Sequence, residues 1–245
     1  MKTIFPDTKI CLIRQPAGLG DIILCLKIAS FFIDKGYKVV WPVIEQYYET
    51  ITKYFKTKDI IFCKESDDFP LKNIYQSPEI RPVEISGNLY LPLQHADRHF
   101  QGESALKSKF KILGLDHNNW QDYFSFRRNE DKEKSLYEDV LGLEENEDFI
   151  FVNGWYGSPP SPLKKDIKIE GKNKIVEMST LKDYSILDWC RVIEKAKEIH
   201  CVDTSLFYII EMLNLRATTL VAYSKFNPPN YMHTQGLFNS PWLYK

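Results

Sequence analysis

The stretch KICLIRQPAGLGDIILCLKIASFFIDKG, residues Lys9–Gly36, decides the fold. The apolar run Lys9–Arg14 predicts a strand, which ends at a proline and two glycines. Residues Asp21–Lys35 then predict a helix, because Asp21 is a favourable N-cap residue and Gly36 can terminate it. The polar residues of this helix fall on one narrow stripe, so most of its surface is expected to pack against a sheet. A strand, a glycine turn and a buried helix in this order are typical of an open α/β sheet.

The same alternation continues through the first half of the chain. The pattern predicts strands at Lys38–Val43, Asp59–Cys63 and Asn88–Leu93, and helices at Gln46–Phe55, Glu103–Gly114 and Glu130–Leu141. Strands and helices that alternate at this spacing form right-handed crossovers and parallel sheets. The first half is therefore predicted to be an α/β unit with a parallel sheet.

The second half repeats the pattern with shorter elements. It predicts strands at Phe149–Asn153, Ile175–Met178, Ile199–Val202 and Thr218–Tyr223, and helices at Ile186–Lys197 and Leu206–Leu213. Between the halves, the acidic segment Glu144–Asp148 favours a solvated turn. The 245 residues are enough for two domains of roughly 100–150 residues each. We therefore predict an N-terminal domain over residues 1–145 and a C-terminal domain over residues 146–245.

Composition excludes several classes of protein. Hydrophobic residues make up 44% of the chain, which is enough for a core, and the net charge of −1 gives no general attraction to nucleic acid. The longest apolar run, Ile22–Ile33, is interrupted by Lys27 and Ser30, so no membrane span is predicted. The chain starts without the apolar segment of a signal peptide, and its five cysteines show no CxxC spacing. These features predict a cytoplasmic protein with reduced thiols.

The turn Gly18-Leu19-Gly20-Asp21 carries the first candidate chemistry. Glycines permit a tight turn and a close approach of the backbone to a ligand. Asp21 follows the carboxyl end of a strand, where open α/β sheets bind ligands, and its carboxylate can accept a proton from a hydroxyl. The alternative is that Asp21 only caps the helix. The spacing fits neither a dinucleotide fingerprint nor a phosphate-binding P-loop.

A second polar turn, Val202-Asp203-Thr204-Ser205, stands between a strand and a helix in the second half. The hydroxyls of Thr204 and Ser205, together with N–H groups at the start of a helix, suit a diphosphate. Asp203 can accept hydrogen bonds from a sugar hydroxyl. The alternative is again helix capping, since all three residue types are favoured there.

A polar cluster follows the predicted strand Asn88–Leu93 and contains His95, Asp97, Arg98 and His99. These side chains offer hydrogen bonds to hydroxyls or to a phosphate. The two histidines also have the spacing of metal ligands, but the sequence offers no convincing third ligand. We predict acceptor binding at His95, Asp97 and Arg98 and no metal; the alternative is an ordinary polar loop.

Two segments resemble the heptosyltransferase-like glycosyltransferases. They are Ile13–Trp41, with the Leu-Gly-Asp motif, and Ile175–Pro228, with an Asp-Thr-Ser motif before a helix, a strand and a proline-bearing loop. The resemblance implies the GT-B architecture of two facing Rossmann-like domains. It also implies an inverting, metal-independent transfer of a sugar from a nucleotide-diphosphate sugar to a glycan hydroxyl, without a further cofactor.

By this resemblance, Asp21 corresponds to the base that activates the acceptor, while Asp203 and Thr204 bind the donor's sugar and diphosphate. Ser205, Gly18 and Gly20 complete the predicted donor contacts. The family lysine that neutralises the donor phosphate corresponds to Lys164 or Lys165.

The chain also departs from the family pattern. Tyr208 stands where the family has a histidine, and Ser205 replaces a glycine. The loop Gly157–Lys174 takes the place of the first βαβ unit of the C-terminal domain, so that domain is predicted to be shortened. Two alternatives therefore remain: a Rossmann-type methyltransferase, and a non-catalytic module that binds nucleotide or glycan. The strand Lys38–Val43 lacks the terminal acidic residue that a methyltransferase would use for a ribose.

Overall fold

The computed structural model describes residues 9–65, 81–94, 96, 100, 104–157, 162–232 and 234–245. The chain divides into two compact units, Met1–Ser125 and Phe126–Lys245. Each unit is built on its own five-stranded sheet.

The first unit has a mostly parallel sheet with strand order β3-β2-β1-β5-β4. Its elements are β1 (Ile10–Ile13), α1 (Leu19–Asp34), β2 (Lys38–Val43), α2 (Glu45–Tyr54), β3 (Ile60–Lys64), β4 (Val83–Ile85), β5 (Asn88–Leu91), α3 (Ala105–Lys111) and a 3₁₀ turn at Trp120–Tyr123. Central strand β1 pairs in parallel with β2 and β5, so that Leu12 lies between Val40 and Tyr90. Among the described strands of this sheet, only β4 runs antiparallel, and the sequence did not predict it.

Helix α1 begins two residues earlier than predicted. Its N-cap is Gly18, whose carbonyl accepts a hydrogen bond from Ile22 N at 2.9 Å, and no side chain caps this end. Asp21 lies inside the first turn, so the prediction that Asp21 is the N-cap residue is wrong. The reason is the positive φ of Gly18, +81°, which turns the chain into the helix at the glycine itself. The predicted terminator Gly36 has φ +84°, as a left-handed C-terminal residue should.

The second unit has a fully parallel sheet with strand order β12-β11-β10-β6-β9, as the pairing of each neighbouring strand shows. Its elements are α4 (Glu130–Ser135), a π-helical turn (Leu136–Val140), β6 (Phe149–Asn153), β7 (Trp155–Tyr156), β8 (Leu163–Lys164), β9 (Lys174–Glu177), a 3₁₀ turn (Ile186–Trp189), α5 (Cys190–Lys195), β10 (Glu198–Val202), α6 (Leu206–Ile210), β11 (Thr219–Tyr223) and β12 (Trp242–Tyr244). Strands β7 and β8 form a small antiparallel hairpin.

The boundary between the units lies before the predicted position at 145/146. Residues 126–145 pack with the second unit, because Arg128 forms ion pairs with both Glu133 and Glu194, the latter at 2.8 Å. The rings of Tyr137 and Phe149 also lie 6.3 Å apart. The acidic segment Glu144–Asp148, predicted as a solvated turn, lies on the surface of this unit, where Asp148 pairs with Lys197 and Arg216.

All five cysteines are free thiols, and all except Cys63 are buried. Burial raises the pKa of the Cys11 and Cys25 thiols to about 12. Thiols held in this protonated form are poor nucleophiles, so we interpret these cysteines as residues that pack in the hydrophobic core. No helix in the described part of the chain has the length and apolar character needed to cross a bilayer.

Candidate functional site

In the first unit, Asp21 lies just beyond the carboxyl end of β1, in the first turn of α1. Its side chain is 31% exposed, and its Oδ1 lies 3.1 Å from Nζ of Lys109 on α3. A carboxylate near a helix N-terminus is favoured by the helix dipole as well as by this cation. The structure therefore places a partly accessible carboxylate, next to a cation, at the edge where open α/β sheets bind ligands.

Lys109 is almost completely buried, with 2% of its surface exposed. Its Nζ donates hydrogen bonds to Gln15 Oε1 at 2.7 Å and to the Leu93 carbonyl at 2.9 Å. Gln15 is also buried, and its Nε2 donates to the Ala17 carbonyl at 2.6 Å. Asp21 is thus one member of a buried polar network that the sequence analysis did not identify.

Gly18 lies directly against the Asp21 carboxylate. A Cβ atom added at Gly18 would lie 2.5 Å from Asp21 Oδ2, which is shorter than any normal contact. Gly20, the second glycine of the motif, is buried in the first turn of α1. The motif thus places Gly18, Gly20 and Asp21 together in the first unit, with Gly18 needed both for its backbone angle and for the space it leaves.

Gly18→Ala is expected to lower the free energy of unfolding by about 1–2 kcal/mol, because alanine is strained at φ +81°. It is also expected to push Asp21 out of its position, and so to reduce any activity that depends on this carboxylate. Gly36→Ala is the matched control. Gly36 has a similar φ of +84°, but a Cβ atom added there would meet nothing within 4 Å beyond its own chain neighbours. Chemical denaturation should give similar losses of stability for both variants; an unmoved Asp21 in Gly18→Ala, compared by NMR, would contradict the steric argument.

The predicted acceptor residues His95, Asp97 and Arg98 lie outside the described residues, as does His99. Among the residues that are described, no three His, Cys, Asp or Glu side chains come together as possible metal ligands. The acceptor assignment therefore stays a prediction.

In the second unit, Asp203 follows the carboxyl end of β10 and is 1% exposed. Its Oδ1 accepts a hydrogen bond from Lys225 N at 3.0 Å, while its buried Oδ2 has no hydrogen-bond partner among the described residues. Burial raises the pKa of the Asp203 carboxyl, and the charges of Lys225 and Lys165 partly oppose that effect. A buried carboxylate oxygen without a donor is costly, and such an atom is a candidate for hydrogen bonding to a ligand.

The structure distinguishes the two candidate lysines. Lys165 Nζ donates a hydrogen bond at 2.9 Å to the carbonyl of Ser224, the residue that follows β11. Lys164 instead pairs with Glu177 on β9 at 2.8 Å and is exposed. The charge of Lys165 also opposes the rise in the pKa of the Asp203 carboxyl. Gly154 permits this arrangement, since a Cβ there would lie 2.3 Å from the Lys165 carbonyl oxygen.

Thr204 and Ser205 lie between Asp203 and α6 and are both partly exposed. Thr204 Oγ1 accepts only a long hydrogen bond of 3.4 Å from Leu206 N. Ser205 is the N-cap residue of α6, but its side chain makes no capping hydrogen bond. Helix α6 ends at Ile210, earlier than predicted, so its dipole is small and the hydroxyls are the main candidates for ligand contacts.

Tyr208, at the position of the family histidine, belongs to the core of the second unit. It is 3% exposed, and its ring packs edge-on against Phe238 with 5.0 Å between centroids. A core aromatic thus replaces an imidazole here.

The loop after β11 contributes contacts that the sequence analysis missed. Ser224 is fully buried, and its N donates to Tyr231 Oη at 2.9 Å. Its Oγ accepts hydrogen bonds from Phe226 N and Asn230 N. These bonds hold the loop so that Lys225 N faces Asp203. Nothing in the sequence distinguishes this serine from one in a solvated loop.

Solved structures share this fold. No protein-family model matches the chain, and no curated protein sequence is significantly similar to it. A glycosyl transferase family 9 protein from Veillonella parvula DSM 2008 is 10% identical with a TM-score of 0.52, over 98% of this chain and 86% of that protein. The dodecameric iron-containing heptosyltransferase TibC, in complex with ADP-D-β-D-heptose, is 12% identical with a TM-score of 0.51, over 97% of this chain and 63% of TibC. TibC from enterotoxigenic E. coli H10407, also solved as an iron-containing dodecameric glycosyltransferase, is 10% identical with a TM-score of 0.47, over 88% and 58%.

At these identities the likeness concerns the fold. The predicted α/β class, with two Rossmann-like units of the GT-B type, is confirmed, and the resemblance to heptosyltransferase-like glycosyltransferases holds at that level. The predicted shortening of the C-terminal half stays a prediction.

Proposed function

We propose that this protein is a glycosyltransferase that moves a sugar from a nucleotide-diphosphate sugar to a glycan hydroxyl. The observation that carries the proposal is the buried Asp203 carboxylate, whose Oδ2 has no partner among the described residues, at the carboxyl end of a parallel sheet and beside Lys165. Open α/β sheets bind ligands at this edge. The shared fold with glycosyltransferases supports the same assignment.

We assign the donor to the second unit. Asp203 Oδ2 accepts a hydrogen bond from a sugar hydroxyl, and the hydroxyls of Thr204 and Ser205 donate to the diphosphate. An ammonium has three N–H donors, and the hydrogen bond to Ser224 uses one of those on Lys165. The remaining donors and the positive charge suit a phosphate whose negative charge grows as it leaves. Lys164 is no longer part of this proposal, because Glu177 already neutralises it.

We assign the acceptor to the first unit, with Asp21 as general base. Asp21 takes the proton of the acceptor hydroxyl while that oxygen forms a bond to the anomeric carbon. The bond from this carbon to the diphosphate oxygen breaks, and its electron pair leaves with the nucleotide diphosphate. One displacement of this kind inverts the anomeric centre. His95, Asp97 and Arg98 remain the proposed acceptor contacts.

The proposed reaction needs no metal. Metal independence is part of what the resemblance to heptosyltransferase-like glycosyltransferases implies. In this proposal Lys165 supplies the positive charge that the leaving diphosphate needs.

A ligand screen tests the proposal. The melting temperature should rise on the order of 5–10 °C with a nucleotide-diphosphate sugar at 100 times its dissociation constant, since such binding stabilises by about 2.7 kcal/mol. The panel contains ADP-D-β-D-heptose, other nucleotide sugars, free nucleotides and S-adenosylmethionine. A response to S-adenosylmethionine alone favours a methyltransferase, whereas nucleotide-sugar binding without turnover over a panel of glycan acceptors favours a binding module.

The double variant Thr204→Ala/Ser205→Ala should weaken binding of that nucleotide sugar by at least about 10-fold, because hydrogen bonds to a charged group contribute about 1.5–3 kcal/mol each. The fold should survive, since neither hydroxyl makes a strong hydrogen bond within the described part of the protein. Calorimetry on the folded variant measures the affinity. Ser185→Ala is the control, because the Ser185 hydroxyl donates a hydrogen bond to Asp188 Oδ2 at 3.0 Å in the same unit, and its loss should change stability alone. Equal affinities for parent and double variant would remove both hydroxyls from the donor site.

A further inference from the structure

We propose that Lys109 is a positioning residue that fixes Asp21 through its Oδ1 atom, so that Oδ2 is the oxygen that receives the acceptor proton. This inference rests on the proposed function, because it assigns a part of the same site. Lys109 itself touches neither ligand in this proposal.

The burial of Lys109 is the first argument. Lysine is rarely buried without a partner, yet Lys109 is 2% exposed between Ser108 and Phe110, which are 0% and 1% exposed. A buried ammonium is tolerated only when its donors are satisfied. Here Nζ donates hydrogen bonds to Gln15 Oε1 and to the Leu93 carbonyl, and Asp21 Oδ1 lies 3.1 Å away as the counter-ion.

The origin of these acceptors is the second argument. Leu93 follows β5, Gln15 follows β1, and Asp21 belongs to α1, so three separate segments converge on one nitrogen atom. The Gln15 side chain is itself fixed by its hydrogen bond to Ala17. Two of the three acceptors thus locate Nζ without any help from Asp21. The ammonium therefore determines where Asp21 Oδ1 lies, rather than following a mobile carboxylate.

The two oxygens of the Asp21 carboxylate face different neighbours. Oδ1 faces Lys109, and Oδ2 faces Gly18, 2.5 Å from the position that a Cβ atom of residue 18 would take. With Oδ1 held by the ammonium, the proton from the acceptor hydroxyl goes to Oδ2.

A second lysine–aspartate pair in the same unit provides a matched control. Lys27 on α1 lies 3.1 Å from Asp116, but the Asp116 side chain is 68% exposed, and the pair lies outside the network of Gln15 and Lys109. Lys27→Met therefore removes a paired lysine from the same unit without touching the Asp21 network.

The experiment compares Lys109→Met, Gln15→Met and Lys27→Met in the full-length protein. The side-chain rotamer of Asp21 is measured from N–Cγ and C′–Cγ couplings, with ¹³C,¹⁵N-labelled protein and no ligand. We expect one rotamer in the parent and in Lys27→Met, averaging among rotamers in Lys109→Met, and partial averaging in Gln15→Met. Gln15→Met keeps the cation and removes one anchor, so it also decides the question if Lys109→Met does not fold.

Turnover is then measured with ADP-D-β-D-heptose, or with the nucleotide sugar that gives transfer in the screen. We expect kcat to fall by about 10–100-fold in Lys109→Met, because a misplaced catalytic group commonly lowers turnover by that amount. The donor KM should stay unchanged, and the fall in kcat should be smaller in Gln15→Met. An Asp21 rotamer that stays fixed in both variants overturns the inference, and so does averaging with an unchanged kcat. If the parent transfers no sugar at all, the proposed function fails, while the rotamer measurement still decides whether Lys109 fixes Asp21.

Discussion

Asp21→Asn is expected to lower turnover by roughly 10²–10⁴-fold, the usual contribution of a general base. Asparagine keeps the shape of the side chain and an oxygen that can face Lys109, but it cannot accept the proton. Donor affinity should stay nearly unchanged, because the side chains proposed to bind the donor belong to the second unit, and Asp21→Asn leaves Gly18 and Gly20 in place. The measurements are kcat and the donor dissociation constant.

The stability of Asp21→Asn separates a catalytic role from a structural one. We expect the free energy of unfolding to fall by about 1–2 kcal/mol, because Lys109 loses its counter-charge but keeps its hydrogen bonds to Gln15 and Leu93. A capping role no longer provides an alternative, since Gly18 is the N-cap residue. Asp116→Asn is the control, since it removes another lysine-paired carboxylate of the same unit and should leave turnover intact. An Asp21→Asn enzyme with the parent's kcat would show that Asp21 is not the base.

Asp203→Asn is expected to weaken binding of the nucleotide sugar by about 10–150-fold without weakening the fold. A hydrogen bond to a charged group contributes about 1.5–3 kcal/mol, and each 1.4 kcal/mol is a factor of ten in affinity. Asparagine can still accept the hydrogen bond from Lys225 N through its Oδ1 atom. In place of Oδ2 it presents an N–H₂ group, and it lacks the negative charge of the carboxylate that accepts from the sugar hydroxyl. Calorimetry with parent and variant gives the two affinities.

The pH dependence of stability gives an independent check on Asp203. Burial raises the pKa of this carboxyl in the folded state, so the folded protein binds this proton more tightly than the unfolded chain does. The stabilisation from this proton is complete below the unfolded pKa and is lost as the pH rises through the folded pKa. Asparagine carries no charge at any pH, so Asp203→Asn should gain stability relative to the parent as the pH rises through the folded pKa of Asp203.

Asp148→Asn is the control for this measurement, because the pKa of the Asp148 carboxyl is shifted in the opposite direction. Lys197 and Arg216 lower the pKa of the Asp148 carboxyl, so Asp148→Asn should lose a little stability at pH 7 and none in acid. Urea denaturation between pH 3 and pH 8 compares the variants. A marked loss of stability in Asp203→Asn at neutral pH would mean that this carboxylate is a structural group.

Many strands and helices of the fold could be predicted from local sequence patterns. An apolar run that is bounded by glycine or polar turns has one surface to bury, whichever partner it packs against. Strand β2 matches its predicted bounds, and so does β6. The hairpin of β7 and β8 and the strand β12 were not predicted. Each has only two or three residues, too few to show a period, and its pairing depends on partners distant in the sequence.

The two acidic turns of the candidate site could be predicted from the sequence, but the residues that surround them could not. Asp21 and Asp203 stand at strand ends, which a sequence shows directly. Lys109 depends on Gln15, which lies 94 residues away, and no local pattern marks such a contact. The different partners of Lys164 and Lys165 likewise come from the geometry of a hairpin that the sequence did not indicate.

The parallel pairing of the central strands also affects how the protein forms. Strand β1 must pair with β5, and Ile10 N reaches Asn88 Oδ1 across 78 residues. Strand β6 pairs with β10, so that Phe151 meets Ile199. Neither β1 nor β6 can close onto its parallel neighbours through a tight turn, so loops must be ordered before the apolar edges are covered. Contacts so distant along the chain slow folding, and until they form, β1 and β6 are the segments most exposed to aggregation.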